Sequence, residues 1–236
     1  SDTVCFPAKL VHGHLRDLRD AGVDRILMPS VTTVPSDNAA PTSQSMCAVV
    51  KGYPLVVRNS DNPERRWGIP FDAPLFHWYS EKDREEQLMG WLRAWAGVTR
   101  VQARSAIRQA TAAQESFCAE LERRGREVLS AVEKDGGYAV VLAARPYQTD
   151  ALVNHDLPDL FVRMGVPVLS ADAVPGVHDV DLSASRIDVV NNFHERMLGS
   201  AVIAARDARL EYAQLVSFGC GHDAYLSDEI VRLMHE

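Results

Sequence analysis

The chain has 236 residues, is 46% hydrophobic and carries a formal net charge of -7 with no run of basic residues. That is enough apolar chain for one large or two small α/β domains, and the charge argues against nucleic acid or an anionic membrane surface as the main partner, leaving a small molecule or a protein. No stretch reaches the roughly 20 uninterrupted apolar residues of a membrane span, and the first residues lack a basic and then apolar leader, so a cytoplasmic location is expected. Four cysteines are too sparse for a disulfide scaffold; in a reducing compartment they stay thiols. The opening Ser1 and a helical pattern that runs into Glu236 suggest a piece of a longer protein.

Apolar residues at helical spacing predict a first helix over Ala8–Ala21, with Pro7 in its first turn, Cys5 just outside and Gly22 ending it. Val23–Ser30 reads as a buried strand, Thr32–Ser45 as a long loop that delivers Cys47, and Lys51–Arg58 as a turn followed by a short strand, because Gly52 and Pro54 oppose a helix. Glu81–Trp95 and Thr99–Lys134 carry helical patterns. Strands are predicted at Tyr138–Ala143, Val166–Leu169 and Ala213–Ser217, with helices at Pro158–Met164, Val189–Ala205 and Ser227–His235. The expected architecture is α/β: a first part over 1–80, a helical insertion over 81–135 and a second part over 136–236, the two parts being flavodoxin- or Rossmann-like three-layer units with parallel sheets.

Cys5, Cys47 and Cys220 stand at loop-like junctions, a placement that suits thiolate ligands of a soft metal, iron or zinc, with one coordination position left open. The spacing contains no C-x-x-C pair, and small core cysteines are the plainer alternative. Cys118, inside a regular helix, reads as a packed core thiol. His12 and His14, two apart on one helix, cannot share a face, so at most one turns toward a site. After the Tyr138–Ala143 strand, Arg145, Tyr147, Asp150, Asn154 and His155 either tie down the loop or hold an anionic ligand, with Arg145 as a forked donor and His155 as a titratable group; these two are the candidate catalytic residues. The four tryptophans suit packing better than ligand stacking. No G-x-G-x-x-G, Walker loop or G-x-S-x-G elbow is present, so any ATP chemistry belongs to another domain.

The blocks Cys5-Phe6-Pro7-Ala8-Lys9-Leu10-Val11-His12-Gly13-His14, Cys47 with Gly52-Tyr53-Pro54, Arg145-Pro146-Tyr147 with Asn154-His155, and Ser217-Phe218-Gly219-Cys220-Gly221 together resemble the acyl-CoA dehydratase activase-related proteins. These carry a domain similar to 2-hydroxyacyl-CoA dehydratase subunits and double-cubane cluster proteins. The resemblance implies a [4Fe–4S] cluster, of single or double-cubane type, on Cys5, Cys47 and Cys220. It also implies an activase-type ATPase domain, in the same or a partner chain, as electron donor, an acyl-CoA or other small-molecule substrate, and a dimer as an allowed assembly. Ala48 and Gln148 depart from the Pro and His that family members tend to carry there. The alternative is a docking or structural domain with zinc or no metal at the cysteines.

Overall fold

A computed structural model of the chain describes residues 5–38, 43–217 and 219–235. Residues 39–42 of the expected Thr32–Ser45 loop, Phe218 beside Cys220, and the two ends of the chain lie outside the described residues. The chain is α/β, with short parallel sheets among helices, and divides into two compact units: 1–36 with 44–110, and 37–43 with 111–236.

In the first unit, helix α1 (Phe6–Asp20) starts at Cys5, whose extended backbone and the following Pro7 set the first turn, and Gly22 leaves it at φ 71°. Strands β1 (Ile26–Leu27) and β2 (Ser30–Val31) are followed by α2 (Ala48–Ser60), α3 (Pro63–Trp67), β3 (Phe71–Asp72) and β4 (Leu75–Phe76). β1 pairs with β3 and β2 with β4, both parallel. The two pairs are one interrupted ladder, because the amides of Ile26, Met28, Ser30 and Thr32 donate in turn to the carbonyls of Pro70, Asp72, Pro74 and Phe76 at 2.8–2.9 Å. Pro29 stands opposite Pro74, and Pro74 has no N–H to return to the Met28 carbonyl, which is why the ladder breaks there. The expected strand at Val23–Ser30 therefore exists, split by this proline pair.

The expected turn and strand over Lys51–Arg58 is instead the middle of α2. Pro54 costs a helix bond to the Val50 carbonyl. The helix offsets this by packing Tyr53 and Val57 in one cluster with Leu15, Ile26, Phe71 and Trp67 and by burying Pro54 itself. The Ser30 hydroxyl also donates to the Lys51 carbonyl at 2.5 Å, tying α2 to β2. Helix α4 (Glu81–Ala96), capped by the Ser80 hydroxyl, packs Met89 on Ala103 and Ile107 of α5 (Arg100–Asp135); the division between units falls inside α5, after Ala110.

The second unit is built on β5 (Ala139–Ala143), whose five residues are all buried, as a central parallel strand requires. Short α6 (Ala151–Asn154) and α7 (Leu157–Arg163) lead to β6 (Val168–Ser170), and α8 (Asn192–Arg206) returns the chain to β7 (Leu210–Gln214), before α9 (Gly221–His235). The strand order is β6–β5–β7, all parallel. One core joins Leu129 and Val132 of α5 to Val141, Leu169, Val174 and Val177; another joins Ala143 to Met197, Leu198, Leu226 and Ile230 of α8 and α9. Asp37 and Asn38 reach this unit from the long loop: Asp37 pairs with Arg196, its amide donates to Asn192 Oδ1, and the Asn38 amide group donates to the Val180 carbonyl.

The last strand lies upstream of its expected position, at Leu210 rather than Ala213, because pairing with β5 begins at Ala139 and stops where β5 stops. Helix α9 correspondingly begins at Gly221, so Cys220 opens a helix. Cys118 is exposed rather than packed, and Gln114 Nε2 lies 3.4 Å from its sulfur. It extends the buried face of Leu121, Gly125, Leu129 and Val132 into an open cleft of about 540 Å³ lined also by Val174, Val177 and Arg196.

A Cβ at Gly125 would overlap the Ala173 carbonyl and lie 3.3 Å from Pro175 Cδ, whereas one at Gly13, also helical, meets nothing within 4 Å. Gly125→Ala is expected to destabilise the fold by about 1–3 kcal/mol, lowering Tm by roughly 2–4 °C per kcal/mol, and Gly13→Ala to stabilise it by about 0.5–1 kcal/mol. Thermal melts of the two variants beside the parent check this opposite pair of shifts.

Candidate functional site

In a parallel sheet ordered β6–β5–β7, the chain leaves β5 toward one side and arrives at β7 on the other, so the carboxyl ends of β5 and β7 form the switch point where such sheets bind ligands. The loop after β5, the loop after β7 and the first turn of α9 are locked together there. Arg145, about nine-tenths buried, donates from Nη2 and Nε to Asp223 Oδ1 at 2.6 and 3.1 Å. The other carboxylate oxygen accepts from the Ser217 amide at 2.9 Å. The Ser217 hydroxyl in turn meets Tyr147 Oη at 2.5 Å and accepts from Gln148 Nε2 at 3.2 Å. Gln148 Oε1 accepts from the Arg145 amide, and Asn154 donates to the Gln148 carbonyl.

Burial alone would lower the Arg145 pKa, but the hydrogen bond and charge of Asp223 outweigh it and hold the guanidinium above its ordinary value, with Cys220 adding in the same direction. Burial pushes Tyr147 up, against the Ser217 hydrogen bond, so its phenol stays neutral. The Arg145 fork is thus engaged by Asp223, and its role in the structure is to tie the loop. His155, exposed, ends α6 in the left-handed region at φ 56° and takes no part in this network.

Behind Arg145 lies a pair of histidines that the sequence reading did not single out. His194 of α8 is fully buried, and its Nε2 sits 3.1 Å from His222 Nδ1 at the start of α9. Burial, then the charge of Arg145, then His222 push His194 down to about 3; His222 is lowered chiefly by burial. Both rings are neutral near pH 7. Nδ1 of His194 has no partner among the described residues, so the less costly tautomer carries its proton on Nε2, donating to His222, and leaves Nδ1 as a bare acceptor. The missed residues were hidden because His194 occupies an ordinary core position of α8 and Asp223 lies 78 residues from the arginine it pairs with.

Cys5 and Cys47 are the N-caps of α1 and α2 in the first unit, and Cys220 immediately precedes α9 in the second. All three are partly exposed thiols. The donor set fits a soft, anionic metal centre in type, since each thiol lies where helix N–H groups favour negative charge. Among the described residues, however, no three His, Cys, Asp or Glu side chains come together as a metal-holding group. His14 is exposed, while His12 is bonded to Asp61 and Tyr53. Trp91 stacks on Trp95 at 4.9 Å and Trp78 on Phe76 at 5.3 Å, as packing residues do.

Two measurements test this arrangement. Asp223→Ala strands a buried guanidinium and is expected to cost about 3–5 kcal/mol in urea unfolding. For His194, the folded pKa is depressed below the ordinary value of 6.5, so between pH 6.5 and about 3 the unfolded chain binds the extra proton and stability falls as pH falls. His194→Gln is expected to make the pH 6 to pH 5 loss of stability shallower by about 1 kcal/mol per unit in urea titrations.

The model of one family, the CoA enzyme activase uncharacterised domain (DUF2229), matches residues 1–174. The match takes in Cys5, Cys47 and the loop after β5, and stops before α8, β7 and α9, so Cys220, Asp223 and the histidine pair lie beyond it. No curated protein and no solved structure matches the chain. No helix among the described residues is long and apolar enough to cross a membrane. With about three quarters of its length matched, the chain belongs to the CoA enzyme activase domain family.

Proposed function

We propose that this chain is a cytoplasmic iron–sulfur module of an ATP-coupled, low-potential electron-transfer system, related to the 2-hydroxyacyl-CoA dehydratases and their activases. Cys5, Cys47 and Cys220 would be the ligands of a [4Fe–4S] cluster, of single or double-cubane type. The observation that carries the reading is the shared position of the three thiols, each on the residue before the first turn of a helix. The family assignment supports the activase link, and the parallel sheets of both units are compatible with flavodoxin- or Rossmann-like halves such as dehydratase subunits have.

When bound, such a cluster supplies one-electron transfer at low potential and an iron position open to a ligand. The chain's own residues position and shield it. Amides at the starts of α1, α2 and α9 offer donors to an anionic group. Asp223 holds Arg145 as a fixed positive charge and pins the Ser217 amide, which sets the loop that carries Cys220. His155, exposed at the end of α6, would be the imidazole offered to a substrate. The electron donor would be an activase-type ATPase domain, and the substrate an acyl-CoA or another small molecule.

A second reading, a docking or structural domain with zinc or no metal at the cysteines, draws on the absence of a three-residue metal group among the described residues. Anoxic reconstitution with iron and sulfide, followed by iron analysis and visible spectra, separates the two. The cluster reading expects about four irons per chain, lost in Cys5→Ala, Cys47→Ala and Cys220→Ala but kept in Cys118→Ala. A colourless parent chain would overturn it in favour of the second reading.

A further inference from the structure

The first unit contains a hydrogen-bonded chain of three side chains that the cysteine reading leaves unused. His12, on α1, lies between two groups delivered by α2: its Nδ1 is 2.7 Å from Asp61 Oδ2, at the carboxyl cap of that helix, and its Nε2 is 3.0 Å from the Tyr53 hydroxyl. The two rings meet edge to face, with planes 75° apart. Asp61 is further fixed through its other oxygen by Arg66 of α3.

The direction of these bonds follows from what each group can do. A carboxylate only accepts, so the Asp61 bond places a proton on Nδ1 of His12. In the neutral ring Nε2 is then an acceptor, and the Tyr53 hydroxyl is the donor to it. The phenolic oxygen keeps its lone pairs as acceptors, and both Tyr53 and His12 are partly exposed. The order carboxylate, imidazole, hydroxyl is that of an activated oxygen: a base at hydrogen-bond distance and a third group orienting the base.

We propose that Asp61, His12 and Tyr53 form a proton relay that takes one proton from the hydroxyl of a small-molecule ligand bound against Tyr53. The ligand's O–H bond breaks as its proton moves to the Tyr53 oxygen, and the phenolic proton moves to His12 Nε2. Tyr53 ends as it began, the ligand becomes an alkoxide, and the positive charge on His12 faces the Asp61 carboxylate. In reverse the same path delivers a proton. Tyr53 is the group that touches the ligand; His12 and Asp61 are positioning residues acting through it. The relay is independent of the metal assignment, since none of its members is a cysteine or adjoins one in sequence.

Benzenesulfonyl fluoride reads the relay directly on the full chain. Attack by the Tyr53 oxygen forms the S–O bond, releases fluoride and sends the phenolic proton to His12. Tyr79 and Tyr138 are 62% and 46% exposed and serve as internal references. Peptide mass spectrometry is expected to show Tyr53 modified at least about tenfold faster than either, since base assistance of this kind contributes about 10²–10⁴-fold in rate. His12→Gln and Asp61→Asn should bring Tyr53 down toward the reference rate, with circular dichroism confirming that each variant is folded. A Tyr53 rate no greater than that of the references overturns the relay without any variant, and so does a fast rate that survives both substitutions. That second result would leave the three side chains as a tie between α1 and α2.

Discussion

The buried ion pair of Arg145 and Asp223 is the constraint on which the carboxyl edge of the second unit depends. A guanidinium this far from water is tolerable only with a fixed counter-charge, and a buried carboxylate only with donors on both oxygens. Asp223 meets both conditions with Arg145 on one oxygen and the Ser217 amide on the other. Two loops that follow different strands are therefore held by one side chain from a third element. The neutral state of His194 follows first from its own burial and then from the same cation.

The first unit solves a different problem with less. Its ladder is short and contains prolines on both strands, yet the amides of the even-numbered residues from Ile26 to Thr32 all find carbonyls. The prolines fall where the ladder needs only an acceptor, or at its single break. Around it, α1 and α2 carry cysteines at their starts and the histidine and tyrosine further along. One helix pair thus holds two helix-capping thiols and the hydrogen-bonded chain of Asp61, His12 and Tyr53.

How far the sequence revealed this depended on the range of the interactions involved. The start of α1 was legible because Pro7 and the apolar repeat act locally, and so were α4, α5 and β5, whose patterns are long or unbroken. Helix α2 was not, because Gly52 and Pro54 signal against it locally while the deciding burial of Val57 is tertiary. The place of β7 was set by its partner strand, not by its own apolar run. Of the site, the helix-start positions of Cys5 and the loop role of Arg145 could be read from neighbours, but the partner that fixes Arg145 is 78 residues away. The chain from Asp61 through His12 to Tyr53 likewise joins residues up to 49 apart, and Cys118 looked like core because its helix face is buried one turn further on.

The bonds of Asp37 and Asn38 within the second unit set an order of events during synthesis. Asp37 and Asn38 are translated long before Val180, Asn192 and Arg196, the residues that hold them. At about 5–20 residues per second this is a wait of roughly ten to thirty seconds. From the moment Ala110 is added the first unit is complete in sequence, while Asp37 and Asn38 still lack their partners. The contacts of Asp37 and Asn38 are therefore completed only once α8 has left the ribosome.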